Sequence, residues 1–227
     1  MNQGKYNEDR LVGAPLKFPT TTEAVQNLLK QIGIDGIRYE EIFIASYDGP
    51  MPQLHKHLGE YESIDELNHL ACLLSELNEY ELEVFEAVMD SGEYTGSVKD
   101  LINLAQNLDS YNFYSDIHTE EELGRMYIQE LEAVPVPEHL IDYIDYEAYG
   151  RDVRINEDGH LAPGGYVVGG GSFVEHYHGI EDIPEEHRVF SMPKVPIREQ
   201  MAAYQEMAKQ AHPSAERPAP KACREER

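Results

Sequence analysis

Negative charge is concentrated in one internal stretch of this 227-residue chain, and that concentration limits how the stretch can fold. Between Glu60 and Glu147 there are 23 acidic residues and only two basic ones, Lys99 and Arg125. The stretch therefore carries a net charge of −21, out of −25 for the whole chain. Like charges on a compact body repel each other and lower its stability, so an excess of this size favours a cationic partner.

The size of this charge can be compared with that of duplex DNA. B-form DNA carries about one negative charge per 1.7 Å of axis, so about 21 charges at that density would cover about 36 Å, or about ten base pairs. A symmetric dimer would cover about twice that length. Two interpretations stay open on charge alone: a surface that imitates DNA, and an ordinary acidic protein with well-solvated helices.

Composition indicates a folded protein rather than a disordered acidic tail. The chain is 41% hydrophobic and contains 15 tyrosines and six phenylalanines, enough for one core or several small ones. It has no run of about 18 apolar residues and no basic segment followed by an apolar one at its N-terminus, so we expect neither a membrane span nor a signal peptide. Cys72 and Cys223 are too few for a disulfide framework. These features predict a soluble cytoplasmic protein with reduced thiols.

Sequence patterns divide the chain into four parts. We predict an N-terminal α+β domain over residues 1–60, a helical acidic middle domain over 61–110, a C-terminal α+β domain over 111–183, and a partly disordered tail over 184–227. The first part contains a predicted helix between Thr20–Thr22 and Gly33 and an alternating, strand-like segment at Tyr39–Ser46. In the middle part we predict three helices: one after a capping box of Ser63 and Glu66, one carrying Leu82, Phe85, Val88 and Met89, and one opened by Ser97 and Asp100.

The third part and the tail contain further predicted elements. The third part should begin with a strand at Tyr111–Ile117 and a helix capped by Thr119 and Glu122. A second helix is predicted from Glu138 to Tyr149, with Pro137 at its start and Gly150 beyond its end, followed by a hairpin whose strands, Tyr166–Val168 and Phe173–Tyr177, are joined by a turn at Gly169–Gly171. In the tail we predict a helix near Ile197–Ala211 and disorder after it. From Arg188 onward the chain has eight Lys or Arg residues against five Glu. The tail therefore reverses the charge of the body, and it could fold back on the acidic surface or stay loose.

Acidic residues recur at helical spacing, which places them on single faces of the predicted helices. Glu79, Glu83, Glu86 and Asp90 are spaced by four, three and four residues, and Glu138, Asp142 and Asp145 repeat the pattern. Like charges at these spacings cost a few tenths of a kcal/mol per pair, so a sequence tuned only for helix stability would place Lys between them. The stripes favour an interaction surface, with a solvated acidic face as the alternative.

Nothing in the sequence argues for an enzyme, a cofactor or a metal. The glycines at 164–165 and 169–171 lack the Lys and Ser/Thr of a phosphate-binding loop and are read as turn residues. His55 with His57, and His176 with His178, lack a third ligand in register and are read as surface histidines. A glycosidase-like carboxylate pair carries no information in a chain with 43 acidic residues.

Several segments of the chain resemble the ArdA antirestriction family. They are Gly4–Glu8, Leu11–Gly13, Phe18–Pro19, Tyr39–Glu41 with the apolar segment that follows to Asp48, Leu58–Asn68 and, above all, Tyr143–Asp152. The similarity extends from about Gly4 to Tyr177. Family chains usually open with an apolar strand before the first of these segments, whereas only Met1–Gln3 precedes it here, so we expect the first domain to lack that strand.

The resemblance implies a fold and a function. Family members are small proteins of mobile genetic elements that imitate B-form DNA. The implied fold is α+β, with three small domains in an elongated, curved arrangement and a helical middle domain between two α/β units. The implied activity is to occupy the DNA-binding groove of type I restriction-modification enzymes, as a homodimer joined through the third domain, without binding nucleic acid directly.

On this interpretation many carboxylates share the partner surface and none dominates. The candidates are Glu62, Asp65, Glu79, Glu83, Glu86, Asp90, Asp109, Asp116, Glu120, Glu121, Glu130, Glu138, Asp142 and Asp145. One alternative is an acidic module that binds a basic nucleoid or regulatory protein without reproducing DNA geometry, and another is an acidic hydrolase, which would need turnover that one or two carboxylate-to-amide changes eliminate.

An aromatic cluster in the third part suggests where two copies meet. Its members are Tyr111, Phe113, Tyr114, Tyr127, Tyr143, Tyr146 and Tyr149, which is denser than one small unit needs. Tyrosine joins an apolar ring to a polar tip and suits such interfaces. The alternative is that these rings only fill the core of their own domain.

Overall fold

The computed structural model describes residues 1–211. Within them lie eight α-helices: α1 Gln3–Tyr6, α2 Thr22–Ile32, α3 Ile64–Glu76, α4 Glu79–Ser91, α5 Val98–Ala105, α6 Glu120–Arg125, α7 Tyr146–Asn156 and α8 Ile197–Ala211. The strands are β1 Tyr111–Tyr114, β2 His160–Ala162 and β3 Gly165–Gly169. Short 3₁₀ segments lie at Leu54–His57, Leu108–Ser110, Glu138–Tyr143, Ile180–Asp182 and Glu185–His187, and one π-turn at Met126–Glu130. The class is α+β, as predicted.

A small antiparallel sheet separates two hydrophobic clusters. Its strand order is β1–β3–β2, with Phe113 opposite Val167 and Leu161 opposite Tyr166. Because successive side chains of a strand point to opposite faces, Val167 packs with α3, α4 and α5, whereas Tyr166 packs with α6 and α7. The central strand β3 is therefore buried on both faces except at its last residue.

The helices of the middle part form as predicted because their caps and apolar stripes agree. Asn78 and Glu81 complete a reciprocal capping box at the start of α4, and Ser97 caps α5. The capping box predicted for α3 is only half formed. Ser63 accepts the hydrogen bond from the Glu66 N–H, but the Glu66 carboxylate accepts one from the Tyr177 hydroxyl, at 2.8 Å, instead of capping its own helix.

The N-terminal part contains the predicted helix but not the predicted strand. Helix α2 begins after the Thr21 cap and ends at Gly33, whose φ of 76° suits glycine. The segment predicted as a strand at Tyr39–Ser46 makes a single bridge, between Asn2 and Ile42. It lacks a longer ladder because the neighbouring chain turns into α1 after Asn2, so few backbone partners lie alongside it.

The prediction of one helix from Glu138 to Tyr149 is wrong. A 3₁₀ segment ends at Tyr143, Ile144 is extended, and α7 begins anew because the Asp145 side chain accepts a hydrogen bond from the Ala148 N–H. Gly150 lies inside α7 rather than beyond a helix end. It faces α6, so that its backbone crosses closely over the other helix.

The predicted hairpin is also wrong, because β3 pairs with β1 and β2 rather than with Phe173–Tyr177. The latter segment is irregular, and two buried asparagines, one in α5 and one just after it, supply hydrogen bonds to it. The Asn103 side chain bonds the backbone of His176 and Tyr177, and the Asn107 side chain bonds the backbone of Val174. Side-chain amides thus take the place of a neighbouring strand.

After the sheet the chain returns to the N-terminal part. Ile183 is buried in the cluster of α3–α5, and Val189 is buried against Val25, Leu29 and Ile32 of α2. The strand predicted to extend to Ile117 stops at Tyr114, whereas the predicted α6 and α8 are present. The disorder predicted after Ala211 lies outside the described residues. No helix in residues 1–211 combines the length and the apolar composition needed to cross a bilayer.

Candidate interaction surface

Helix α4 carries four exposed carboxylates along one side. Its other side buries Val84, Phe85, Val88 and Met89, so the predicted stripe of Glu79, Glu83, Glu86 and Asp90 remains on the surface. In the described part of the chain, the only side-chain partner in this stripe is His160, whose Nε2 lies 3.1 Å from the Asp90 carboxylate. The stripe therefore keeps most of its negative charge uncompensated.

The α4 stripe borders a shallow groove formed with the β2–β3 turn. Glu83, Glu86 and Asp90 line one side of it, and Ala162–Gly164 line the other. Gln53 also lines the groove. The groove joins three acidic side chains from a helix to a turn that is far away in sequence, which the spacing of the acidic residues could not predict.

Most of the other predicted partner residues are also exposed. Eleven of the fourteen candidates are exposed: Glu79, Glu83, Glu86, Asp90, Asp109, Asp116, Glu121, Glu130, Glu138, Asp142 and Asp145. The remaining three, Glu62, Asp65 and Glu120, are half-buried and bond to the protein itself.

Each half-buried candidate holds a neighbouring element in place. The Glu62 carboxylate accepts the Gly59 N–H at 2.8 Å, and Asp65 accepts two backbone N–H groups of residues 189 and 190 at 2.7 Å each. Glu120 pairs with Arg154 of α7 at 2.9 Å. These carboxylates stabilise the fold in addition to any role on the surface.

A second acidic groove surrounds Arg125. The Arg125 guanidinium pairs with Glu121 at 2.8 Å and lies 4.4 Å from the centre of the Tyr146 ring. Further acidic side chains line the same groove: Asp142, Asp145 and Glu147. Glu147 was not among the predicted surface residues, because its place beside Asp142 depends on the break between the 3₁₀ segment and α7.

The predicted stripe of Glu138, Asp142 and Asp145 does not lie on one helix face. Glu138 and Asp142 belong to a 3₁₀ segment, in which residues four apart point about 120° away from each other. Asp145 caps α7 instead. All three carboxylates are exposed, but they do not repeat the geometry of the α4 stripe.

The aromatic candidates separate into core and surface rings. Phe113 and Tyr146 are buried, and Tyr111, Tyr114, Tyr127 and Tyr149 are half-buried against the protein's own clusters. Burial, followed by hydrogen bonding to the Glu157 carboxylate, raises the pKa of Tyr127. Tyr143 differs from the others because it is 84% exposed. A groove in the same part of the chain is lined by Ile128, Val134, Val136 and Ile141 together with Gln129 and Glu132.

The histidines and carboxylates of the described residues do not form a metal centre. No group of three or more His, Cys, Asp or Glu side chains in residues 1–211 is arranged to hold an ion. His55 stacks on Tyr47, and His178 is exposed. One pair that the sequence did not suggest is His69 with His187, whose Nδ1 atoms are 2.8 Å apart although 118 residues separate them in the chain.

Comparison with known proteins agrees with the resemblance seen in the sequence. The sequence model of the family described as antirestriction protein (ArdA) matches residues 1–168, about three quarters of the chain. Among curated proteins, no sequence matches this chain significantly. The matched range includes α1–α7, β1, β2, all but the last residue of β3, and every acidic residue of the candidate surface. The chain therefore belongs to the ArdA family of antirestriction proteins.

Proposed function

We propose that the protein is a non-enzymatic inhibitor that imitates B-form DNA and occupies the DNA-binding groove of type I restriction-modification enzymes. Membership of an antirestriction family implies an interaction with restriction enzymes. DNA-binding grooves hold Lys and Arg side chains that neutralise phosphates. A surface with the α4 stripe at its centre offers carboxylates to the same side chains.

The spacing of the α4 stripe is the observation that carries this proposal. An α-helix rises about 1.5 Å per residue. The axial separation between successive carboxylates, which are four, three and four residues apart, is therefore about 4.5–6 Å. One DNA strand presents a phosphate about every 3.4 Å. The four carboxylates therefore place four negative charges along about 16 Å of helix axis. One DNA strand would place about five phosphates along the same distance.

The scarcity of compensating cations supports the same proposal. Between Glu60 and Glu147 the only Lys or Arg residues are Lys99 and Arg125. Lys99 pairs with Glu175, and Arg125 pairs with Glu121. Neither pairs with a carboxylate of the α4 stripe, so these carboxylates are available to a basic partner.

A competition experiment tests the proposal directly. Unmodified duplex DNA is titrated against a type I enzyme in the presence of wild-type protein, Glu83→Gln/Glu86→Gln, or Glu83→Lys/Glu86→Lys. Each exposed ion pair contributes about 0.2–1 kcal/mol, so the double Gln variant should bind the enzyme about 2- to 30-fold more weakly. The double Lys variant should bind more weakly still, because it adds repulsion. The matched control is Glu199→Lys/Glu206→Lys, which reverses two exposed carboxylates on α8, outside the acidic stretch.

The pattern of competition separates the proposal from an acidic adaptor. If the protein imitates DNA, protein and duplex exclude each other from the enzyme, and the control binds like wild type. Simultaneous binding of protein and duplex would contradict the proposal, as would equal losses in the α4 variants and the α8 control. An adaptor for a basic nucleoid or regulatory protein would not exclude duplex DNA from a type I enzyme.

We further propose that two copies assemble through the third part of the chain. The exposed Tyr143 ring supports this contact, and so do the apolar side chains that line a groove in the same part of the chain. A homodimer would place two acidic surfaces end to end in the elongated, curved arrangement of three small domains implied by the family resemblance. It would then cover about twenty base pairs rather than ten.

A further inference from the structure

The segment from residue 184 to 192, here called the strap, joins two hydrophobic clusters after the range matched by the family. It follows Ile183, which is buried with α3–α5. Val189 of the strap is buried in a second cluster, here called the α2 cluster, with Val25, Leu29 and Ile32, and only 2% of the surface of Val189 is exposed. The strap therefore connects the N-terminal part of the protein to the middle helices. If it leaves its position, the α2 cluster loses a buried side chain.

One face of α3 holds the strap through polar side chains. Asp65 accepts hydrogen bonds from the N–H groups of Val189 and Phe190, at 2.7 Å each. Asn68, which is 1% exposed, donates to the His187 carbonyl at 3.0 Å and accepts from the Thr20 N–H at 2.7 Å. These bonds hold the strap, the start of α2 and the middle helices together at one point.

The same face brings two imidazole rings together. His69 is 4% exposed, and its Nδ1 lies 2.8 Å from the Nδ1 of His187, with ring centres 5.0 Å apart. A hydrogen bond between two Nδ1 atoms needs one donor and one acceptor, so at least one ring must be neutral. Protonating both rings would turn two N–H groups and two positive charges toward each other in a place with little water.

Other groups near the pair do not replace this bond. The Tyr177 ring packs on His69, but its hydroxyl donates to Glu66. Asp65 already accepts two strap N–H groups, and the Arg188 guanidinium donates to two backbone carbonyls. Burial, and then the charge of His187, lower the pKa of His69, and the more weakly acting Glu76 carboxylate opposes this shift.

We propose that His69 and His187 form a proton-sensitive clasp, which holds the strap on α3 while at least one ring is neutral and releases it when both rings are protonated. Release exposes both imidazoles to water, where each can take up a proton, whereas the closed clasp holds at most one. Histidine side chains in water change charge near pH 6.5, roughly. Release is therefore favoured as the pH falls below about 6.5. This inference concerns the free protein and does not depend on the identity of its target.

Hydrogen exchange of the strap measures the clasp in the full-length protein. The N–H groups of Val189 and Phe190 are protected only while they donate to Asp65, so their protection factors, corrected for the intrinsic pH dependence of exchange, report release. Between pH 7.5 and 5.5 the wild-type protection should fall about tenfold or more, because the released state takes up at least one more proton. His187→Asn keeps a polar atom near the Nδ1 position but does not titrate, so only the buried His69 can take up a proton on release. The protection of this variant should fall by less than about tenfold over the same range, and less than that of the wild type.

A control variant and a direct titration make the test decisive. His139→Asn, at an exposed position away from α3, should keep the wild-type pH profile. Wild-type protection that is constant across the range overturns the proposal, and so does a decline of the same size in His187→Asn as in the wild type. If the strap of His187→Asn is unprotected even at pH 7.5, the variant is uninformative, and NMR titration of the two wild-type imidazole rings tests the proposal instead. Two rings that titrate independently near pH 6.5 while the strap stays protected also overturn the proposal.

Discussion

At the scale of single residues, two glycines decide how closely α6 and α7 approach. A Cβ atom at Gly150 would lie 1.8 Å from the Glu120 carbonyl oxygen, and one at Gly124 would lie 2.0 Å from the Tyr146 carbonyl oxygen. Both neighbours are backbone atoms, which a side-chain rotation cannot move. Sequence reasoning placed Gly150 at the end of a helix, whereas its function in the fold is to let a second helix pass.

We expect Gly150→Ala to destabilise the protein by about 1–3 kcal/mol or more, because the new methyl group forces the two helices apart. The expected decrease in Tm is about 2–12 °C, measured by thermal unfolding. The control is Gly169→Ala, at the exposed end of β3, where a Cβ would meet no atom within 4 Å. Equal losses in the two variants would show that the close crossing of α6 and α7 is not the cause.

Several tyrosines make the protein sensitive to alkaline pH. Burial, followed by the nearby Glu62 carboxylate, raises the pKa of Tyr47 to about 12, and burial also raises the pKa of Tyr111, Tyr166 and Tyr177. A raised pKa means that the folded state favours the neutral phenol. The resulting stability is fully present below the unfolded pKa of about 10 and is lost as the pH rises toward the folded values.

Absorbance near 295 nm should therefore show these phenols ionising late and together with unfolding. The chain has no tryptophan, so the tyrosine signal is not obscured. We expect the free energy of unfolding to fall with pH above about 10. Complete ionisation of all tyrosines near pH 10 in a protein that stays folded would contradict this expectation.

At the scale of elements, two buried asparagines substitute for a strand. Asn103 accepts hydrogen bonds from the N–H groups of His176 and Tyr177 at 2.8 and 2.9 Å, and it donates to the Tyr177 carbonyl at 2.8 Å. The alternation of Phe173–Tyr177 predicted a hairpin strand, but the sheet is complete without it. The predicted strand is therefore replaced by an irregular segment that side-chain amides hold in place.

Asn103→Ala should lower the free energy of unfolding by about 2–5 kcal/mol, because it leaves several backbone groups without partners and each costs about 1–3 kcal/mol. Urea unfolding measures the change. Asn112→Ala is the matched control, since Asn112 is an exposed residue of β1. A loss below about 1 kcal/mol for Asn103→Ala would mean that water or a rearranged segment satisfies those groups.

The acidic surface was also predictable only in part. The four-three-four spacing of the α4 stripe was sufficient because a regular helix repeats every 3.6 residues. The same spacing failed for Glu138, Asp142 and Asp145, where the helix breaks at Ile144. Asp65 was selected for its charge alone, and its bonds to Val189 and Phe190 depend on a segment more than 120 residues away.

At the scale of the whole molecule, the large net charge controls assembly and target binding in opposite ways. Two copies of a chain with a charge of −25 repel each other, and added salt screens that repulsion. Binding to a basic groove depends on attraction, which salt weakens. Salt should therefore strengthen the proposed dimer and weaken the proposed complex with the restriction enzyme.

Sedimentation velocity across a series of salt concentrations tests the assembly. We expect the fraction of dimer to rise with salt at micromolar protein, and Tyr143→Ser to reduce it, since this exposed ring contributes little to the protein's own core. Tyr61→Ser, which removes another exposed ring, is the control. A monomer at every salt concentration would remove the two-fold model and leave a mimic of about ten base pairs.

The sequence by itself determined the features that depend on neighbours within a few residues. The caps at Thr21, Asn78, Ser97 and Thr119 specify where helices begin, because each bonds a backbone N–H only three residues away. The outward position of the α4 stripe follows in the same way, since four apolar residues on the opposite side of one helix require burial.

Only the tertiary structure decided features whose partners are distant in the chain. The segment near Ile42 forms one β-bridge, and the backbone near Tyr177 is hydrogen-bonded by asparagine side chains. The strap is hydrogen-bonded by the side chains of Asp65 and His69. An extended segment satisfies its backbone by pairing with whatever lies beside it, and nothing within the segment specifies that neighbour. Helices carry their hydrogen-bond partners within themselves, and for this reason most of them could be placed from the sequence, whereas the pairing of the strands could not.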